Sequence, residues 1–253
     1  MVVGNWKMNL TSPEGVSLVK GILPTVEKSD NVDVMVCPSY TMLSSIWEVI
    51  RASSLMLGAQ DVFWEPKGAY TGQVSAAMLL DAGCLYCIVG HSEKRGRFGK
   101  SKNDEATLDY FADTDETINK KVSALLYNNL LPILCVGETD EERSANRTEE
   151  VVQKQLLGAL HGMDASEISG IVIAYEPVWA IGTGNVCEPE EAERLCTVIR
   201  EILSKEFSED STNNIRVLYG GSVNGKNCKD LAVMSGIDGF LVGGASLITE
   251  EFV

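Results

Sequence analysis

The sequence predicts an α/β fold, a closed (β/α)8 barrel forming one domain over residues 1–253. Two observations predict it. Eight short apolar runs alternate with helical patterns along the chain. Polar or glycine-bearing segments cluster just after those runs, on what would be one face of the barrel. The runs are near-continuous rather than alternating, as strands of a parallel sheet buried on both faces must be. At 253 residues, 45% of them hydrophobic and 23% charged, the chain can fill one such core.

The first strand is expected at 2–6, then a helix over 12–27 that Ser12 caps and Pro13 opens. Further strands are expected at 32–37, 55–59, 85–90, 131–136, 171–175, 215–219 and 239–242. Helical patterns occupy 39–51, 115–129, 148–160, 188–207 and 224–235. An open doubly wound sheet is the competing architecture. It usually carries a Gly-rich dinucleotide turn after its first strand, and none stands here.

Composition excludes several classes. The net charge is −15, and Lys and Arg form no cluster, so no nucleic-acid partner is expected. The apolar run at 130–136 is far shorter than the roughly 20 residues of a membrane helix. No leader-like segment precedes the first strand, so a cytoplasmic protein without a membrane partner is expected. The seven cysteines are an odd number in apolar settings, which reads as core filling. Cys84 and Cys87 run into a strand, so their side chains are expected on opposite faces, against a redox pair. There are two His, neither at ligand spacing to a Cys pair, so no metal is expected.

The strand ends carry the chemistry. Glu176 sits in an apolar run, where a carboxylate must pair with a cation or serve as a base. His91 reads either as a satisfied structural residue or as a neutral imidazole beside a helix start. Lys7 follows a strand that should be buried, which makes it a candidate electrophile rather than a solvated surface cation. His161 looks like a surface residue at a helix end. Gly182-Thr183-Gly184, Gly220-Gly221-Ser222 and Gly243-Gly244 let backbone N–H groups approach an anion, and the last two follow strands seven and eight. The residues alone therefore point to a barrel enzyme acting on a small phosphate ester.

Five segments are more specific. Asn5-Trp6-Lys7-Met8-Asn9, Val89-Gly90-His91-Ser92-Glu93, the eleven residues from Ala174 to Gly184, Tyr219-Gly220-Gly221-Ser222-Val223 and the stretch from Asp238 to Leu247 resemble the signature segments of the triosephosphate isomerases. The resemblance spans nearly the whole chain, in order. It implies a TIM barrel that interconverts dihydroxyacetone phosphate and D-glyceraldehyde 3-phosphate, in glycolysis and gluconeogenesis, without cofactor or metal. It implies Glu176 as the base and His91 and Lys7 as electrophiles, with Asn5 fixing Lys7. Gly182, Ser222, Gly243 and Gly244 match the phosphate donors. Glu93 matches the carboxylate beside the lysine. Pro177 to Gly184, with Trp179, matches a closing lid, latched by Tyr219 and Ser222. The loop at 60–74 resembles an arm that enters a partner subunit, so a homodimer is implied.

The chain departs from that pattern in four places. The region after His91 is about a dozen residues longer, and the extra segment near 97–110 reads as a polar surface loop. A role for it in assembly or partner binding is the alternative. The family's arginine at Arg95 pairs with an acid; Lys100 cannot serve, so Asp113 is the expected partner. Asn185-Val186-Cys187 stands where the lid's hinge usually has Lys-x-Ala. The last helix is short, ending at Val253, with reduced stability expected. Gln73 replaces an acid in the arm. Two other readings compete. A sugar-phosphate epimerase explains the glycines but not Lys7, His91 and Glu176 together, and a non-catalytic binding or scaffold protein on the same fold does not need them.

Overall fold

Eight parallel strands close in chain order, with β8 returning to β1. The computed structural model describes residues 1–99, 103–183 and 185–253, so Lys100 and Gly184 lie outside the described residues. The strands are β1 (Val2–Asn5), β2 (Val34–Cys37), β3 (Met56–Ala59), β4 (Tyr86–Val89), β5 (Leu131–Val136), β6 (Val172–Tyr175), β7 (Arg216–Tyr219) and β8 (Gly239–Val242). All eight fall within the expected runs, and the closed ring rules out the open sheet. Closure is visible in the register of β1, where Val3 pairs with Met35 on one side and Leu241 on the other.

Both faces of these strands are buried along most of their length, which is why their sequences are apolar except at ends such as Asn5 and Arg216. In β5, Ile133 and Cys135 join the barrel interior with Val3, Ile88, Ala174 and Leu241. Leu134 and Val136 point the other way, into the layer between barrel and helices. Helices α1 (Ser12–Val26), α2 (Leu43–Ile50), α3 (Ala76–Asp81), α4 (Glu105–Tyr110), α5 (Asp115–Tyr127), α6 (Asp140–Ser144), α7 (Thr148–Ala159), α8 (Pro189–Phe207), α9 (Glu209–Thr212), α10 (Cys228–Ala232) and α11 (Thr249–Phe252) surround or cap the strands. In α8, Pro189 opens the helix and Ala192, Leu195, Cys196, Ile199 and Leu203 form its buried face at helical spacing.

Three expectations are corrected. Thr11, not Ser12, caps α1, because Glu14 accepts the Thr11 backbone N–H at 2.7 Å in a Thr-x-x-Glu capping box. Cys84 and Cys87 do not face opposite ways. The strand begins only at Tyr86, so the alternation rule does not reach Cys84, and both thiols are fully buried in the outer apolar layer and unpaired. Arg95 pairs with Asp115 at 2.6 Å, not Asp113. Asp113 lies outside α5 and binds Lys121 instead, whereas Asp115 is the first residue of that helix.

The inserted segment is a surface excursion whose described part includes α4, capped by Asp104, which accepts the Thr107 N–H at 2.8 Å. The last helix, α11, is a single turn. Its Phe252 nevertheless packs close to Gly4 of β1, and Thr249 meets α1 at Gly21. His161 is exposed just beyond α7. Among the described residues no helix is long and apolar enough to cross a membrane, and no group of three or more His, Cys, Asp or Glu is placed to hold a metal ion.

Candidate active site

The C-terminal ends of the strands open onto a cavity of about 520 Å³, within the size range of small-molecule sites. Asn5, Lys7, His91 and Glu176 line it. So do Gly182, Ser222, Gly243 and Gly244, so residues from five strand ends meet there.

Glu176 directly follows β6. Its N–H donates to Val136 O at 2.8 Å, which carries the sheet ladder one residue past the strand and holds the carboxylate at the barrel mouth. The side chain is buried and fully engaged. Its Oε1 is 2.9 Å from His91 Nε2, and its Oε2 accepts the Ser92 N–H at 2.9 Å. Burial pushes this carboxyl up. The His91 ring, the Ser92 amide and the Lys7 ammonium more than offset that and hold it below its ordinary value.

His91 ends the β4 turn. Its Nδ1 accepts the Glu93 backbone N–H at 3.2 Å. A nitrogen that accepts carries no proton, so the ring is neutral and Nε2–H is its donor, aimed at Glu176. The Glu93 carboxylate stands 3.7 Å from Nδ1, beyond hydrogen-bond reach. Its other oxygen pairs with Lys7 Nζ at 2.7 Å.

Lys7 holds a left-handed backbone, with φ of 52°, which is strained for a residue with a side chain. The surroundings over-determine it. Asn5 Oδ1 accepts the Lys7 N–H at 3.1 Å, and Gln60 donates to Lys7 O at 2.8 Å and to Cys37 O at 2.9 Å. Gln60 opens the loop at 60–74 that the resemblance marks as an arm, but no motif pointed to this residue itself. Its part is visible only once β1, β2 and β3 are side by side.

Beyond Glu176 the chain forms a 3-10 turn, Val178–Ala180. Trp179 is buried, and its indole N–H donates to Glu138 Oε1 at 2.8 Å. The Tyr175 hydroxyl reaches the same carboxylate at 3.2 Å, and the Arg143 guanidinium lies 3.7 Å from the Trp179 ring centre. Glu138 is itself buried, and that burial raises its carboxyl. Glu138 stands two residues past β5, and its partners come from β6 and the segment after it.

Ser222 Oγ donates to Ala180 O at 2.6 Å. Tyr219 is buried, its hydroxyl beside Gly221 and the Cys187 thiol. Ser222 therefore touches the segment running from Pro177, and Tyr219 meets the chain just past it, at Cys187. At its far end, Asn185 donates to Trp179 O at 3.3 Å, closing the segment on itself. Gly182 takes φ of +63°, a conformation costly for other residues. Glu93, Pro177, Trp179 and Tyr219 do not line the main cavity; they support residues that do.

Fold and site together define a (β/α)8-barrel enzyme with its cavity at the strand C-terminal ends. The chain belongs to the triosephosphate isomerase family, whose defining sequence pattern matches residues 1–253. It is 45% identical over 253 residues to the triosephosphate isomerase of Alkaliphilus oremlandii, covering 100% of this chain and 96% of that one. It is 46% identical over 252 residues to that of Endomicrobium trichonymphae, covering 100% and 95%. The crystal structure of triosephosphate isomerase from Bartonella henselae superposes with a TM-score of 0.84 at 32% identity, covering 99% of this chain and 94% of that one. The protein is thus an isomerase.

Proposed function

We propose that the chain interconverts dihydroxyacetone phosphate and D-glyceraldehyde 3-phosphate through an enediolate, with Glu176 as the base. One observation carries this reading: a buried carboxylate, an imidazole whose Nε2–H donates and a lysine ammonium share one cavity with the glycines after β7 and β8. Glu176 takes a proton from the carbon beside the carbonyl and returns it to the neighbouring carbon. The carbonyl oxygen gains negative charge as that C–H bond breaks. His91 Nε2–H and the Lys7 ammonium stabilise this charge, and the hydroxyl proton passes between the two oxygens by way of His91. For His91 and Glu176 to act on substrate, their mutual 2.9 Å contact must open, so substrate binding and release of Glu176 are one event.

Asn5 and Glu93 hold Lys7 in place. The backbone at Gly182, Ser222, Gly243 and Gly244 receives the phosphate, and Gly lets those amides come close. The segment from Pro177 acts as the lid, with Trp179, Tyr219 and Ser222 guiding it, and excludes water from an intermediate that would otherwise expel phosphate. No cofactor enters this scheme. The arm around Tyr70, whose tip is exposed, joins two such chains in a homodimer, and the reaction serves glycolysis and gluconeogenesis in the cytoplasm.

The test is turnover of D-glyceraldehyde 3-phosphate by purified protein, beside Glu176→Ala. Rapid turnover abolished in the variant is the expected result. A folded, dimeric wild type without turnover would overturn the reading.

A further inference from the structure

The inserted segment after His91 reaches the lid. It leaves the β4 turn at Arg97, which is tied down at several points. Its N–H donates to Ser92 O at 2.9 Å, and its guanidinium binds Glu142 at 2.7 Å and Gly137 O at 3.4 Å. The Phe98 ring rests edge-on against Phe111 at 5.8 Å, where the segment rejoins the barrel. Between these anchors, Gly99 lies directly under the lid. A β-carbon on Gly99 would stand 2.6 Å from Ile181 O, 3.1 Å from Thr183 Cγ2 and 3.2 Å from Val178 O. The Gly99 φ is not positive, so the backbone itself does not demand glycine; the lid does. Gly99 and Phe98 also share a cavity of about 140 Å³ with Lys7, Glu93 and Gly182.

We propose that Gly99 is a positioning residue for the lid: the inserted segment is an anchored seat on which residues 178–183 rest, and it sets where Gly182 stands over Lys7. The inference rests on the triose-phosphate reading for its effect on catalysis, but not for the contact itself. A side chain at Gly99 acts as a wedge. The Ile181 carbonyl cannot approach a β-carbon to 2.6 Å, so the lid must lift, carrying Gly182 with it.

Gly99→Ala adds the wedge, and Arg97→Gln loosens the anchor without one. Asp109→Ala, on the exposed face of α4, changes the same segment away from the lid. Amide hydrogen exchange of 178–187 is measured without ligand, beside kcat/KM for D-glyceraldehyde 3-phosphate and thermal melting. Faster lid exchange is expected in both Gly99→Ala and Arg97→Gln. A fall of about tenfold in kcat/KM is expected for Gly99→Ala, short of the roughly hundredfold that a 1 Å misplacement costs. Asp109→Ala should match wild type, and Tm should hold for Gly99→Ala. In an active wild type, unchanged exchange or unchanged kcat/KM in Gly99→Ala overturns the proposal. Equal losses in Asp109→Ala overturn it as well. If wild type turns over no triose phosphate, the reaction reading falls and lid exchange alone decides the seat. Should Gly99→Ala not fold, lid exchange in Arg97→Gln decides it in the same way.

Discussion

Two charge clusters in this barrel, each built around a buried side chain, play different parts. In one, Lys121 binds Asp61 at 2.7 Å and Asp113 at 2.6 Å, and Lys94 closes on Asp61 at 2.9 Å. In the other, Lys7 binds Glu93 and His91 binds Glu176, and this set opens onto the 520 Å³ cavity. The residue types are nearly the same. The first cluster is complete within the protein, so it is a clasp between β3 and α5. The second has contacts that a ligand entering the cavity can take over, and it stands beside the segment proposed as a lid. Charge type does not separate a structural cluster from a reactive one; access to a cavity does.

Breaking each cluster separates the two roles. The largest effect is expected from Glu176→Gln, which removes the proposed base while keeping shape. Activity should fall by about 10²–10⁴-fold or more, the range of general base catalysis, with only a small loss of Tm at neutral pH, where the amide gives up the charged contacts to His91 and Ser92. Turnover and a thermal melt read both. Lys121→Met should do the reverse. It leaves Asp113 without its cation and Asp61 with Lys94 alone, and costs about 1–3 kcal/mol of stability, read by urea unfolding, with kcat/KM per folded molecule unchanged. Trp179→Phe takes the indole donor from buried Glu138, a loss of about 1–3 kcal/mol. It should appear as faster exchange of the lid and lower kcat/KM.

Titration sharpens the same contrast. Glu176 is held below its ordinary value of 4.5, so its contribution to stability is present above pH 4.5 and lost as pH falls through the folded value. Lys121 is more buried than its partners, and that burial lowers it. Asp61 and Asp113 outweigh this and raise it above 10.5, so its contribution is complete below pH 10.5 and lost as pH rises through the folded value. The stability difference between wild type and Glu176→Gln should therefore change on the acid side, and that for Lys121→Met on the alkaline side. The smallest effect is expected from salt. A net charge of −15 opposes an anionic substrate at long range, but screening beyond about 8 Å leaves the local groups dominant. A large rise of kcat/KM with added salt would show that global repulsion limits encounter.

Much of this was legible in one dimension. The eight strands were, because burial on both faces leaves no alternation to misread. The place of Asn5, Lys7, His91, Glu176, Ser222, Gly243 and Gly244 at one cavity was, because Asn5 ends a strand and the others stand just past one, in a barrel whose strand ends share one face. The short helices α3, α6 and α9 were not, since one or two turns carry too little periodicity to see.

The sequence by itself determined the order of strands and helices, the apolar layers and which residues reach the barrel mouth. All of these follow from local periods of 2 and 3.6 residues and from chain order. Only the tertiary structure decided the pairings. Arg95 takes Asp115 rather than Asp113, since the start of α5 places one beside Arg95 and leaves the other for Lys121. Gln60 braces Lys7, Glu138 receives Trp179, and Gly99 meets the lid, each across 40 or more residues of chain. A pairing between distant segments depends on distances and directions that exist only after the barrel has closed, and no local pattern records them.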